Sequence, residues 1–179
     1  YYGDSENQKE FRIDHDAHGN VLNAPHHGVE RFKYHPVSQR VTNVQLTDGR
    51  RIKFYYNGQG ERVLKQVISI NGLMEKETFY IRDDKGNVLM DKVTTFKDNQ
   101  AVEVTTHYIY GPRGLIGFIR NDTFHSVFTD HAGSVRLVIK NGKVVAAYDY
   151  LPYGELMRKL VTDENAEIAY NFNGKELDE

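Results

Sequence analysis

The chain has no cysteine and no tryptophan, and only four prolines in 179 residues. Without thiols there is no disulfide frame and no thiolate metal site. Zero cysteine fits a secreted origin as well as a cytosolic one. No apolar run approaches the ~20 residues of a membrane-spanning helix, and no N-terminal stretch has the form of a signal peptide. The chain starts abruptly at Tyr1-Tyr2-Gly3 and stops after Glu179. It reads as a piece of something longer, so missing targeting signals say nothing of location. Charge of one sign is missing too: 23 Lys and Arg oppose 25 Asp and Glu, for a formal net charge of −2. That balance lacks the electrostatic footprint of a nucleic-acid binder. No segment has convincing helical periodicity, no phosphate-cradling loop precedes a helix, and Ser126 and Ser134 lack the Gly-x-Ser-x-Gly elbow.

What is present is turn chemistry and aromatic residues: 15 Gly, 12 Tyr and 9 Phe. The clearest stretch is Ser134–Lys140, then Asn141-Gly142, then Lys143–Tyr150. Asn-Gly between β-rich runs marks a two-residue hairpin, because both central residues of a type I′ turn need φ > 0. That loop predicts Ile139 opposite Val144, Leu137 opposite Ala146, Val135 opposite Tyr148 and Tyr150 opposite Gly133. The hairpin leads into Tyr148-Asp149-Tyr150-Leu151-Pro152-Tyr153-Gly154, an aromatic-x-aromatic junction that ends on glycine.

That junction recurs. Copies start at Ile13 and end at Gly19, run from Phe32 to Ser38, from Phe54 to Gly60, from Tyr80 to Gly86 and from Tyr108 to Gly114. Phe128-Thr129-Asp130-His131-Ala132-Gly133 is a degenerate copy, and Tyr170-Asn171-Phe172-Asn173-Gly174 closes the series. In the second copy Ser38 replaces the junction glycine. Turn signals fall between the junctions at Ala24–Gly28, Asp48-Gly49, Asn71-Gly72, Asp98-Asn99, Asn121-Asp122, Asn141-Gly142 and Asp163–Asn165. A three-residue loop at Thr47-Asp48-Gly49 pairs Val44 with Ile52. A two-residue loop at Asp98-Asn99 pairs Val93 with Val104 and Leu89 with Tyr108. Around Asn71-Gly72 the register stays open, because Glu75 and Glu77 share a face with Ile68 and Ile70. The period, roughly 19 to 28 residues, lies in the solenoid range. The expected product is all-β: one array over residues 1–179, about eight repeated β-hairpins forming a curled ribbon. Junction aromatics should line one face as cross-strand pairs. The structural motif positions are Tyr34, Tyr56, Gly60, Gly86, Tyr108, Tyr110, Gly114, Gly133, Tyr148, Asp149, Tyr150, Gly154, Phe172 and Gly174. A ribbon of this kind has unpaired strand edges at its ends, so the isolated piece is expected to self-associate.

Chemistry-bearing constellations are incomplete. Asp14-His15-Asp16-Ala17-His18-Gly19 begins like a calcium loop, but Pro25 stands where the bidentate Glu belongs. His15, His18, His26, His27 and His35 cluster without diagnostic metal spacing. Asp83-Asp84, Asp14/Asp16 and Asp178/Glu179 are carboxylate pairs in turns, where solvation is the rule. No catalytic residue, metal or cofactor is assigned, and the chain is expected not to be an enzyme. Tyrosine rows can stack on sugars, though in repeat sheets such rows usually hold strands together. Asn121-Asp122-Thr123 is a glycosylation sequon at a predicted hairpin tip.

Tyr-x-Tyr-Asp-x-x-Gly at this spacing resembles the YD repeats of the RHS family, carried best by Tyr148–Gly154 and Phe54–Gly60. The ordered trio Asp130–Val138, Tyr150–Gly154 and Phe172–Asp178 resembles the run entering the RHS repeat-associated core. The resemblance implies a hairpin ribbon that spirals into a shell, secreted or at the cell surface. In bacterial polymorphic toxins and insecticidal toxin complexes such a shell encloses a C-terminal effector or toxin domain. On that reading the partners are adjacent repeats of the same protein and the toxin domain as cargo, with no nucleic acid and no membrane span. The alternative is a teneurin-like extracellular adhesion or glycan-binding segment. The family's aspartate-dependent cleavage segment would begin after Glu179.

Overall fold

The computed structural model describes residues 12–98, 100–170 and 172–176. Strands dominate, far beyond the ~20–25% of an average domain. They are β1 (Val29–Tyr34), β2 (Val41–Leu46), β3 (Arg51–Tyr56), β4 (Arg62–Ile68), β5 (Met74–Arg82) and β6 (Val88–Lys97). β7 (Gln100–Gly111), β8 (Gly114–Arg120), β9 (Thr123–Thr129), β10 (Val135–Lys140), β11 (Lys143–Tyr150) and β12 (Leu156–Val161) follow. Sheet order is chain order, β1 through β12. The all-β, hairpin-by-hairpin reading of the sequence therefore holds. Two compact units divide the chain: Tyr1–Tyr80 with Val93–Glu103, and Ile81–Lys92 with Val104–Glu179.

In the first unit the β2–β3 loop has the predicted three-residue form. Leu46 N–H donates to Arg50 O (2.9 Å), Gly49 N–H donates to Leu46 O (3.0 Å), and Gly49 takes φ +88°. Val44 then pairs with Ile52 as expected, inside a row running Phe32, Val44, Ile52, Val67. Val44, Ile52 and Phe54 are buried, with Val29, Phe32, Val41, Leu46 and Tyr56 packed on them. The open question around Asn71-Gly72 is answered by a bulge. Ile68 pairs with Met74 while Val67 pairs with Lys76, so Glu75 is the extra residue. Beyond it Thr78 and Tyr80 turn inward and are buried, while Glu77 lies opposite Gln66 and accepts from its Nε2 (2.7 Å).

In the second unit Asn121 (φ +50°) and Asp122 (φ +55°) form the two-residue tip between β8 and β9, closed by the pair Arg120 and Thr123. The β10–β11 tip is also as predicted, Asn141 at φ +50° and Gly142 at +75°, with Ile139 opposite Val144. Past that point the register departs from the sequence reading. Leu137 pairs with Ala147 instead of Ala146, and Val138 pairs with Ala146. The extra residue is Val145, whose carbonyl accepts from Thr162 N–H at 2.9 Å on the far side of β11. This bulge flips the face. Val138 and Ala146, both 0% exposed, become core, while Val144 is 46% exposed. In the β6–β7 hairpin Asn99 lies outside the described residues. Leu89 is exposed where Tyr108 is buried, so the expected Leu89–Tyr108 pair does not share an environment; Asp91 is what meets Tyr108.

The end of the chain also departs from expectation. Asp163 caps a 3₁₀ turn (Glu164–Ala166) by accepting from Asn165 N–H. Among the described residues after it no further strand follows, and an isolated antiparallel bridge joins Tyr170 to Glu176. Ala166, Ile168 and Tyr170 are buried, and Tyr170 meets Tyr108 edge to face with centroids 5.2 Å apart. This segment covers the inward face of the sheet because that face, with Tyr108, Phe118, Val138, Ala146 and Tyr148, is too apolar to stay wet.

Candidate functional site: the tyrosine clasps and the buried polar cluster

The junction loops are one device in several spellings. In Asp16-Ala17-His18-Gly19-Asn20 the Asp N–H donates to Asn20 O (2.9 Å) and Gly19 N–H donates to Asp16 O (3.1 Å). Asp16 Oδ1 accepts from His18 N–H and Asn20 N–H, each at 2.9 Å, and Oδ2 accepts from Asn20 Nδ2. Asp83-Asp84-Lys85-Gly86-Asn87 repeats every one of these contacts. Asp130-His131-Ala132-Gly133-Ser134 repeats the backbone set and spends its second oxygen on Arg136 (3.0 Å). Asn57-Gly58-Gln59-Gly60-Glu61 and Leu151-Pro152-Tyr153-Gly154-Glu155 keep the backbone pair. The fourth residue must sit at positive φ, and Gly60, Gly86, Gly133 and Gly154 all do, at 80° to 93°. In the loop after Tyr34 the left-handed residue is Gln39 (φ +54°), one later than the Ser38 expected, because His35 N–H reaches Arg40 O and opens the loop by a residue. These contacts leave Asp16 committed to its own turn, and Asp14 is taken by Asn23 and Arg12.

Four of the loops are answered by a tyrosine from the next junction. Tyr34 donates its hydroxyl to Val21 O (2.7 Å), Tyr56 to Val41 O (2.7 Å), Tyr110 to Val88 O (3.1 Å) and Tyr150 to Val135 O (2.9 Å). The acceptor in every case is the valine leaving the preceding junction loop. The tyrosine stands immediately before the first residue of its own loop. Arg82 occupies that place before Asp83 and sends Nη1 to Gly86 O instead (2.9 Å). Burial raises the Tyr110 hydroxyl to about 12 and pushes the Tyr150 hydroxyl well up as well, so both stay donors. Arg40 lies over the Tyr56 ring and Arg136 over the Tyr150 ring.

Aligned by loop start, the degenerate copy shifts by one. Val127 is the buried residue three places before the turn, at 6% exposure, whereas Phe128 points outward at 52%. Tyr108 and Tyr148 take the same inward place in their junctions and are buried. The ring neighbours along a strand are Phe32 with Tyr34 and Tyr148 with Tyr150. Tyr108 with Phe118 is a cross-strand pair. Asp149 faces outward, 3.0 Å from Arg158 and 3.7 Å from Arg136. Gly114 (φ +112°) closes the β7–β8 loop. Phe172 packs on Tyr150 at 5.5 Å, but it arrives from the covering segment, and Gly174 (φ +64°) ends that segment's second 3₁₀ turn.

Sequence reading missed the recurring Asp-x-x-Gly-Asn/Ser-Val, although three copies stand in the sequence at Asp16, Asp83 and Asp130. It also missed a buried polar cluster with no local signature. Asp91, 4% exposed, accepts from Tyr108 Oη at 2.7 Å, and burial raises its pKa. Arg120 Nε donates to Thr106 Oγ1 (2.9 Å), and Nη1 donates to Asn165 O (3.1 Å) and Glu167 O (2.6 Å), holding the covering segment down. His125 is fully buried and stacked on Phe118 at 4.6 Å, with Nδ1 3.1 Å from Thr123 O. Desolvation lowers its pKa and keeps it neutral. Among the described residues no group of three or more His, Asp or Glu converges as a metal site would; His15 pairs in a bridge with Val21 and His35 Nδ1 accepts Ser38 N–H.

An uninterrupted antiparallel meander with a recurring loop and tyrosine clasp defines an RHS-type YD-repeat array, and the chain has that fold. A structure of TcdB2-TccC3-TEV superposes with a TM-score of 0.75 over 92% of this chain and 8% of that one, at 16% identity. A Tc holotoxin pore from Photorhabdus luminescens gives a TM-score of 0.57 over the same 92%, at 17% identity. In sequence, the chain is 44% identical over 177 residues to salivary gland surface protein 1 of Aedes aegypti, covering 96% of this chain and 5% of that protein. The chain thus spans a small fraction of the proteins it matches. No protein-family model matches it. No helix among the described residues is long and apolar enough to cross a membrane.

Proposed function

We propose that this segment is a wall element of a larger secreted or cell-surface protein, working by enclosing a C-terminal effector or toxin domain of its own polypeptide. The carrying observation is the tyrosine-to-valine clasp, made four times in the same way. At these four junctions the tyrosine hydroxyl ties the junction to the one before it, which suits a wall that must stay closed. The toxin structures with which the chain shares its fold make enclosure the first reading. The test is limited proteolysis of the full-length protein. The region downstream of the repeats should resist cleavage until the repeats are opened by denaturant. Equal sensitivity of that region in the intact protein would overturn enclosure.

A second reading, a surface adhesion or glycan-binding segment, is favoured by the 44% identity to a mosquito salivary gland surface protein. It also draws on exposed aromatic side chains at Tyr55, Phe79, Phe124 and Phe128. Binding to a glycan array that is lost when Tyr55 and Phe79 become Ala would decide for it. Neither reading includes a catalytic step or a bound metal. Metal analysis of the protein, with and without His15, His18, His26 and His27 replaced by Ala, checks this; one ion per chain lost in the variant would refute it.

A further inference from the structure

The sequon at the β8–β9 tip serves neither the clasps nor the buried cluster. Asn-x-Ser/Thr occurs once in the 179 residues, at Asn121-Asp122-Thr123. We propose that Asn121 is an N-glycosylation site, an inference that rests on the secreted or surface reading above. The fold presents the acceptor well. Asn121 and Asp122 are both exposed at the end of a two-residue turn, with φ +50° and +55°. Asparagine tolerates this left-handed conformation, so the acceptor residue and the turn residue are the same without conflict. Thr123 Oγ1 lies 3.2 Å from Asn121 O, so the hydroxyl of the sequon folds back on its own asparagine.

Modification leaves the surrounding contacts intact. In the transfer, Asn121 Nδ2 bonds to the anomeric carbon of a lipid-pyrophosphate-linked oligosaccharide. The anomeric C–O bond to pyrophosphate breaks, the lipid pyrophosphate departs, and Nδ2 gives up one of its two protons. The amide keeps its other N–H, and that is enough for its observed bond to Asn165 Oδ1 at 3.1 Å. A sugar at this tip stands beside the exposed turn of the covering segment at Glu164-Asn165, next to the Asn165 and Glu167 carbonyls that Arg120 holds.

The test is peptide mass spectrometry of the full-length protein, both from the cells that make it and secreted from a eukaryotic line behind a supplied signal sequence. Amidase-type deglycosylation in heavy-oxygen water converts an occupied Asn121 to labelled Asp and separates it from spontaneous deamidation at Asn141-Gly142. The expected result is label at Asn121, abolished in Asn121→Gln and in Thr123→Ala. A Lys143→Thr variant supplies a control sequon on the neighbouring tip of the same turn type. Secreted protein occupied at Asn141 in that variant but bare at Asn121 would overturn the site. Occupancy in the secreted recombinant but not in the native protein would support the site and overturn the secreted reading instead.

Discussion

The hydroxyl of Tyr150 donates to the carbonyl of Val135, 2.9 Å away and fifteen residues earlier, across the full length of one hairpin. Removing the donor leaves a half-buried carbonyl without its partner, a loss of about 1–3 kcal/mol. Tyr150→Phe and Tyr56→Phe should each lower the unfolding free energy measured by urea titration by that amount while far-ultraviolet circular dichroism stays unchanged. Tyr148→Ala removes a ring that is 2% exposed and should cost about 3–5 kcal/mol. A neutral result for both Phe variants would mean the clasps do not bear load.

Glycines in equivalent conformations should differ in their tolerance. At Gly142 (φ +75°) an added Cβ meets open space, so Gly142→Ala carries backbone strain of about 1 kcal/mol. At Gly154 (φ +93°) the Cβ would lie 2.6 Å from the Phe172 ring. Gly154→Ala should therefore be the more destabilising and should also loosen the covering segment, readable as faster hydrogen exchange at Ala166 and Ile168.

Arg120→Ala should free that segment selectively. It removes the donor to Asn165 O and Glu167 O, each a charge-assisted bond worth about 1.5–3 kcal/mol. Amides of residues 166–170 should exchange faster, while those of Val44 and Ile52 in the first unit keep their protection. Uniform loss of protection would mean that Arg120 supports the whole fold instead.

The pH dependence should have two limbs of opposite sign. Asn20 and Asn87 hold the Asp16 and Asp83 carboxyls below the ordinary range, first through their side-chain amides. These folded values are depressed, so their stabilisation is present above the unfolded value near 3.9 and is lost as pH falls through the folded one. Asp91 is raised by burial. Its contribution is fully present below that unfolded value and is lost as pH rises through the raised one. Urea midpoints of Asp91→Asn should accordingly gain on the wild type as pH climbs from ~4 to ~7, and Asp83→Asn should flatten the acid limb. A constant offset between wild type and Asp91→Asn would show that Asp91 keeps the same protonation throughout.

The sequence by itself determined the local geometry. Asn141-Gly142, Asn121-Asp122 and Thr47-Asp48-Gly49 dictate their turns, because only a few residue types accept positive φ and the loop length then sets the register next to it. The same chemistry, repeated at each junction, was enough to read an all-β hairpin array. Tertiary structure decided what lies a few residues from each turn. The bulge at Val145 follows from where Thr162 can donate across β11, and the one at Glu75 from which side chains of β5 must be buried; neither has a local cue. By sequence the covering segment reads as one more repeat, because Tyr170 and Phe172 carry the right spacing. It lies down instead because the face bearing Tyr108, Phe118 and Tyr148 needs an apolar cover. Arg120, Asp91 and His125 share that dependence on partners. They come from three separate strands, and their roles exist only once those strands are side by side.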